Sequence, residues 1–156
     1  MELDAPTAAS YVGHAFGQLL AAADRLGDDL VNRPPFGPGT NSVAALIVHC
    51  CGLTEWWLGH VALGEPSDRD RQAELTAEAT VAQLHDEVDA VLARAGDLLA
   101  RLEAGEGGPG HPARAELPGG TGTDAAVVLH VLEELYQHLG HAQLTVDALV
   151  AAEPTA

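Results

Sequence analysis

Apolar residues recur at three- and four-residue intervals along most of this chain, a spacing that places them on one face of a helix. Four stretches carry the pattern. The first is expected from about Thr7 to Val31, where Val12, Phe16, Leu19, Leu20, Ala23, Leu26 and Leu30 form a stripe that stops before Pro34 and Pro35. The second opens at Thr40 or Asn41, either of which can cap a helix, and runs to about Leu63. Its apolar residues form two adjoining stripes, so burial over a wide arc is expected. The third starts at a capping box, Thr80 with Gln83, and continues through Val81, Leu84, Val88, Val91, Leu92, Ala95, Leu98, Leu99 and Leu102. The fourth begins around Thr123 and Asp124 and reaches about Val150, with Val128, Leu132, Leu135, Leu139, Ala142, Val146 and Leu149 as its seam. Neither a strand-like alternation nor an internal repeat interrupts these stretches, and the expected fold class is all-α.

A chain of 156 residues normally makes one domain around one core, so 1–156 is read as a single domain. Two connections are long, Gly64 to Ala79 and Ala104 to Gly122. The second, rich in Gly and Pro, is expected to be disordered or mobile. The first carries SDRDRQAE, where Arg69 and Arg71 can receive a carboxylate from a ligand. A solvated charge run is the commoner meaning of such a segment.

Composition narrows the partners. All seven basic residues are arginine, against 23 acidic ones, and the net charge of −16 repels phosphate backbones and anionic membrane surfaces. Nucleic acid and membrane are therefore not expected as partners. The opening MELDAPTAAS lacks the basic segment and apolar run of a secretory signal, and no stretch approaches about 18 uninterrupted apolar residues. The only cysteines, Cys50 and Cys51, are adjacent in a helical pattern, which disfavours an intrachain disulfide and points to a reducing cytoplasm. Each is rotated about 100° or more from His49 on the helical wheel, so buried packing is the expected role.

His49 shares its face with Ala45, Leu46, Leu53 and Trp56, where an imidazole surrounded by carbon needs a polar partner. Glu134 and His138 stand four apart on the fourth helix and so converge on one point, with His130 and His141 extending the same stripe beside the apolar seam. Facing helices of a bundle can assemble a three-donor metal site from such groups. Spacing admits His49, Glu134 and His138, and it equally admits His49, His138 and His141. Taken singly, a core histidine with a backbone partner and a surface Glu/His pair are the commoner meanings.

The segments GTNSVAALIVHCCGLTEWWLGH and HVLEELYQHLGHAQLT resemble the two ligand-bearing helices of the DinB-like superfamily, and the resemblance covers nearly the whole chain. It implies a four-helix bundle in up-down-down-up order that binds a divalent metal through one His on the second helix and a His-x3-His pair on the fourth. Carried across, these ligands fall on His49 and His138, with Glu134 in the first position of the pair. A Glu there is similar to the His, Glu, His set of the mycothiol-dependent maleylpyruvate isomerases, whose relatives use bacillithiol or mycothiol to transfer thiol groups. The resemblance thus implies His49, Glu134 and His138 as ligands of Zn2+, with Ni2+ as a second choice. It implies mycothiol or another low-molecular-weight thiol as cofactor, an electrophile as second substrate, S-transferase or isomerase activity, and a homodimer. The alternative from a different class is a non-catalytic metal- or ligand-binding bundle with a stress-related role.

Overall fold

The computed structural model describes residues 3–108, 110–118 and 122–152, and among them every regular element is helical. Helix α1 (Ala5–Leu30) is started by Asp4, whose carboxylate accepts from the Thr7 amide at 2.7 Å, with a proline in the first turn where its missing N–H costs nothing. It is not the unbroken rod that its apolar stripe suggests. Gly27 sits at φ 63°, ψ 178°, outside helical geometry and in a region that glycine enters without a Cβ clash, so the last residues leave the axis of the rest.

Helix α2 (Val43–Glu55) begins one or two residues later than expected. Ser42, rather than Thr40 or Asn41, supplies the cap and accepts from the Ala45 amide. The expected wide burial is present, since Ala44, Leu46, Ile47 and Cys50 all lie inside. The helix does not keep its α pitch to Leu63: Trp56–Ala62 is π-helical. Within that wider turn Gly59 leaves room for the Glu65 carboxylate, and its carbonyl accepts from the Glu65 amide.

A one-turn helix, α3 (Arg71–Glu74), follows in the first long connection, capped by the Asp70 carboxylate. Asn32 pins the end of that connection by bonding both the amide and the carbonyl of Ala79. Helix α4 (Val81–Glu103) carries the Thr80/Gln83 capping box with both of its reciprocal bonds formed. Helix α5 (Asp124–Ala152) completes the set.

In the second long connection, expected to be disordered or mobile, residues 110–118 hold a turn instead, while 109 and 119–121 lie outside the described residues. Pro112–Glu116 forms a 3-10 turn that buries Arg114, whose guanidinium donates to the carbonyls of Val61, Ala62 and Gly122 and pairs with Asp124 at 2.8 Å. The first two acceptors lie at the end of the π-helical segment, where carbonyls run out of helical partners and need a donor once buried. One arginine thus ties the close of the second long helix to the start of α5.

Helices α1 and α2 each pack against both α4 and α5. Phe16, Leu19, Leu46, Ile47, Leu53, Leu84, Leu98 and Leu135 fill the space between them and are fully buried. Each such side chain contributes about 1.5–3 kcal/mol relative to exposure. Bonds between helix ends fix the arrangement: the Ala5 amide donates to Glu103, the Val81 amide to Asp28, and Arg25 pairs with Asp147. Among the described residues, no helix is long and apolar enough to cross a membrane.

Candidate metal centre

His49 reaches the interior because α2 is buried on nearly every side, and its side chain is 5% exposed. Facing it, α5 presents Glu134 and His138 on successive turns, half-buried at the edge between the helices. The His49 and His138 rings meet edge to face with centroids 4.9 Å apart, and His138 Nε2 stands 3.6 Å from Glu134 Oε2. One nitrogen from each histidine and one carboxylate oxygen all lie within 4.8 Å of one another. Among the described residues, no other trio of His, Cys, Asp or Glu gathers this way.

The donors suit a divalent ion of the zinc type, because two imidazoles and a carboxylate form a neutral-neutral-anionic set and zinc accepts such sets readily. Four-coordinate geometry at Zn–N of about 2.0–2.1 Å would set donors roughly 3.3–3.5 Å apart. The Glu134–His138 separation of 3.6 Å is close to this, and no separation within the trio exceeds 4.8 Å. Burial comes first among the causes that hold His138 below the ordinary imidazole value; the charges of His49, His141 and Arg71 add to it and Glu134 opposes. The neutral ring, which is the ligating form, is thereby favoured.

His141 and His130 stay outside the trio. His141 is exposed, while His130 packs its ring 4.5 Å from Trp57 and lies 3.3 Å from Glu133. Cys50 and Cys51 are buried, and burial pushes both thiols far above their usual value, so neither offers a thiolate.

The charge run of the first connection is only partly solvated. Glu74 is buried and accepts from His49 Nδ1 at 2.8 Å. Arg69 grips the same carboxylate twice, Nε to Oε1 at 2.6 Å and Nη2 to Oε2 at 2.7 Å, while its guanidinium lies 5.8 Å from the Trp56 ring centre. Burial raises the Glu74 carboxyl, but the hydrogen bonds and charges of Arg69 and His49 outweigh it and hold it below the usual carboxylate value. Arg69 is therefore already engaged with a carboxylate of its own chain, whereas Arg71 is exposed and close enough for its charge to be felt at His138. Beyond the Arg69–Glu74 pair lies a cleft of about 480 Å³ walled by Val48, Trp56, Glu55, Glu87 and Arg94.

Periodicity does not single out Glu74. The signals for it are indirect: an Asp70 cap that can start a turn ending at position 74, and a glycine at position 52, one turn along α2 from His49.

A family model described as mycothiol-S-transferase matches residues 7–148. No curated protein and no solved structure matches the chain.

Proposed function

We infer the function from one premise: the chain belongs to the mycothiol-S-transferase family. It is a divalent-metal-dependent transferase that joins a low-molecular-weight thiol, mycothiol in the first instance, to an electrophile. The observation that carries this reading is the convergence of His49, Glu134 and His138 within 4.8 Å on facing helices of a chain in that family.

The helix-end bonds support the up-down-down-up order for the four long helices. The start of α1 meets the end of α4, and the ends of α1 and α5 lie together. His49 near the middle of α2 and Glu134 to His138 near the middle of α5 are level on neighbouring helices.

His49, Glu134 and His138 hold the ion, zinc by donor type, and leave it positions free for substrate. When bound, such an ion supplies charge that favours thiolate over thiol and so makes a nucleophile available at neutral pH. The protein's own groups do the rest. The walls of α2 and α5 keep bulk water from the His49 side, and the low charge of the donor set leaves about one positive charge to attract an anion. Arg71, exposed and electrostatically in reach of His138, receives a carboxylate of the electrophile.

Cobalt substitution provides the test, since a thiolate entering the coordination sphere of Co2+ adds a sulfur-to-metal charge-transfer band. The expected result is stoichiometric cobalt uptake, a new band on adding mycothiol, and turnover with an electrophile. His49→Ala and His138→Ala should bind cobalt at least about tenfold more weakly with unchanged circular dichroism. An unchanged spectrum and no turnover across a panel of thiols would leave a non-catalytic metal-binding bundle in place of the transferase.

A further inference from the structure

We propose that Glu74 is the positioning residue of the centre: it holds the His49 imidazole as the Nδ1–H tautomer, aims Nε2 toward Glu134 and His138, and depends on Gly52 for the room to do so. The proposal rests on the metal-site reading above and goes beyond it, because Glu74 itself contributes no donor to the trio.

The hydrogen bonds decide the tautomer. Both Glu74 oxygens face Arg69, which as a guanidinium can only donate, so the carboxylate has no need of a proton and acts solely as acceptor. The hydrogen in the 2.8 Å contact between Glu74 Oε2 and His49 Nδ1 therefore belongs to the imidazole. Arg69 Nη2 also lies 3.4 Å from that nitrogen, but it has Oε2 at 2.7 Å and directs its hydrogen there. With Nδ1 protonated, Nε2 carries the lone pair, and a ligating histidine whose other nitrogen donates to a carboxylate is held in orientation and made more basic.

The carboxylate reaches this place through three local features. Asp70 accepts from the amides of Gln72 and Ala73 and its carbonyl accepts from the Glu74 amide, which winds the single turn of α3. Arg69 is wedged beside Trp56 and clamps the carboxylate from outside. Position 52 is glycine: a Cβ there would lie 2.1 Å from Glu74 Oε1 and 2.7 Å from Glu74 Cδ, so any larger residue must drive the carboxylate away from α2 and from His49. Gly52 contributes no ligand and controls the centre by having no side chain.

The experiment compares wild type, Glu74→Gln, Gly52→Ala and His49→Ala by zinc dissociation constant, measured in competition with a chelator. Imidazole 15N shifts of His49 in the metal-free protein are recorded alongside. Glu74→Gln should weaken zinc binding about 10- to 100-fold, the loss usual for a carboxylate behind a ligating histidine, and should turn His49 from one tautomer to a mixture. Gly52→Ala should do the same while the helix is, if anything, firmer, because alanine is the better helix former and a purely structural effect would run the other way. Zinc affinity within about twofold of wild type in both variants, with binding lost in His49→Ala, overturns the positioning role and leaves the metal-site reading standing. Undiminished binding in His49→Ala overturns both. A Glu74→Gln chain that does not fold leaves the decision to Gly52→Ala, where unchanged affinity and an unchanged His49 tautomer again overturn the proposal.

Discussion

Glu87 on α4 shows how much a single carboxyl can be moved by its surroundings. Burial against α2 raises it first, and the charges of Glu55 and Glu74 raise it further. A carboxyl whose native value exceeds its unfolded 4.5 gives full stability below that pH and loses it as pH climbs through the native value, since ionising it is harder in the folded form. Glu87→Gln should therefore be more stable than wild type at neutral pH and indistinguishable from it below pH 4.5, as urea unfolding at the two conditions would show. A variant less stable at neutral pH would mean that the Glu87 charge is compensated. At this scale the sequence is informative wherever the signal is local. Glu134 and His138 announce themselves by four-residue spacing, and His49 by its place on an apolar face. Glu74 cannot announce itself, because its partners His49 and Arg69 act across a turn whose shape depends on a cap, and a mixed charge run looks the same whether solvated or folded inward.

The long helices are legible to within a residue or two at most ends, because periodicity and capping residues are properties of short stretches. Thr80 with Gln83 is the clearest instance. What periodicity misses is pitch and tertiary capture. The π-helical Trp56–Ala62 has the same apolar residues that an α-helix would use, so their spacing does not reveal the wider turn. The Gly- and Pro-rich connection before α5 reads as unstructured because its organising contact is one arginine reaching carbonyls far away in sequence. Replacing that residue tests the point: Arg114→Met takes the guanidinium from three carbonyl acceptors and from Asp124, a loss of about 3 kcal/mol. Denaturant unfolding should show the midpoint falling with the slope unchanged. A change under about 0.5 kcal/mol would make the connection incidental to the fold.

For the molecule as a whole, 23 acidic residues against seven arginines leave a strong excess of like charge on a small bundle. Several arginines are already engaged in pairs, Arg94 and Arg101 with Glu65 and Arg25 with Asp147. Salt weakens those exposed pairs and weakens the repulsion too, but exposed pairs contribute little and acidic residues outnumber arginines 23 to 7. Repulsion wins, so the midpoint of thermal unfolding should rise as sodium chloride is raised from about 0.01 M to 0.5 M, as the screening length falls from about 30 Å to a few Å. A falling midpoint would show that the ion pairs outweigh the repulsion. The all-α class is readable from the chain, since stripes of this width have nowhere to go but against one another; the facing of α2 with α5 is implied by the resemblance and not by the stripes.

The contact between His49 and Glu74 is also closer along the chain than the contacts of His49 with α5. These two residues are 25 apart and can meet while the chain is still emerging from the ribosome, whereas Glu134 and His138 belong to the last long helix to be made. Before α5 is made, His49 is the one donor of the candidate trio present in the chain. The three donors come together only when α5 docks, so on the metal-binding reading proposed above a complete set of ligands exists only in the finished bundle.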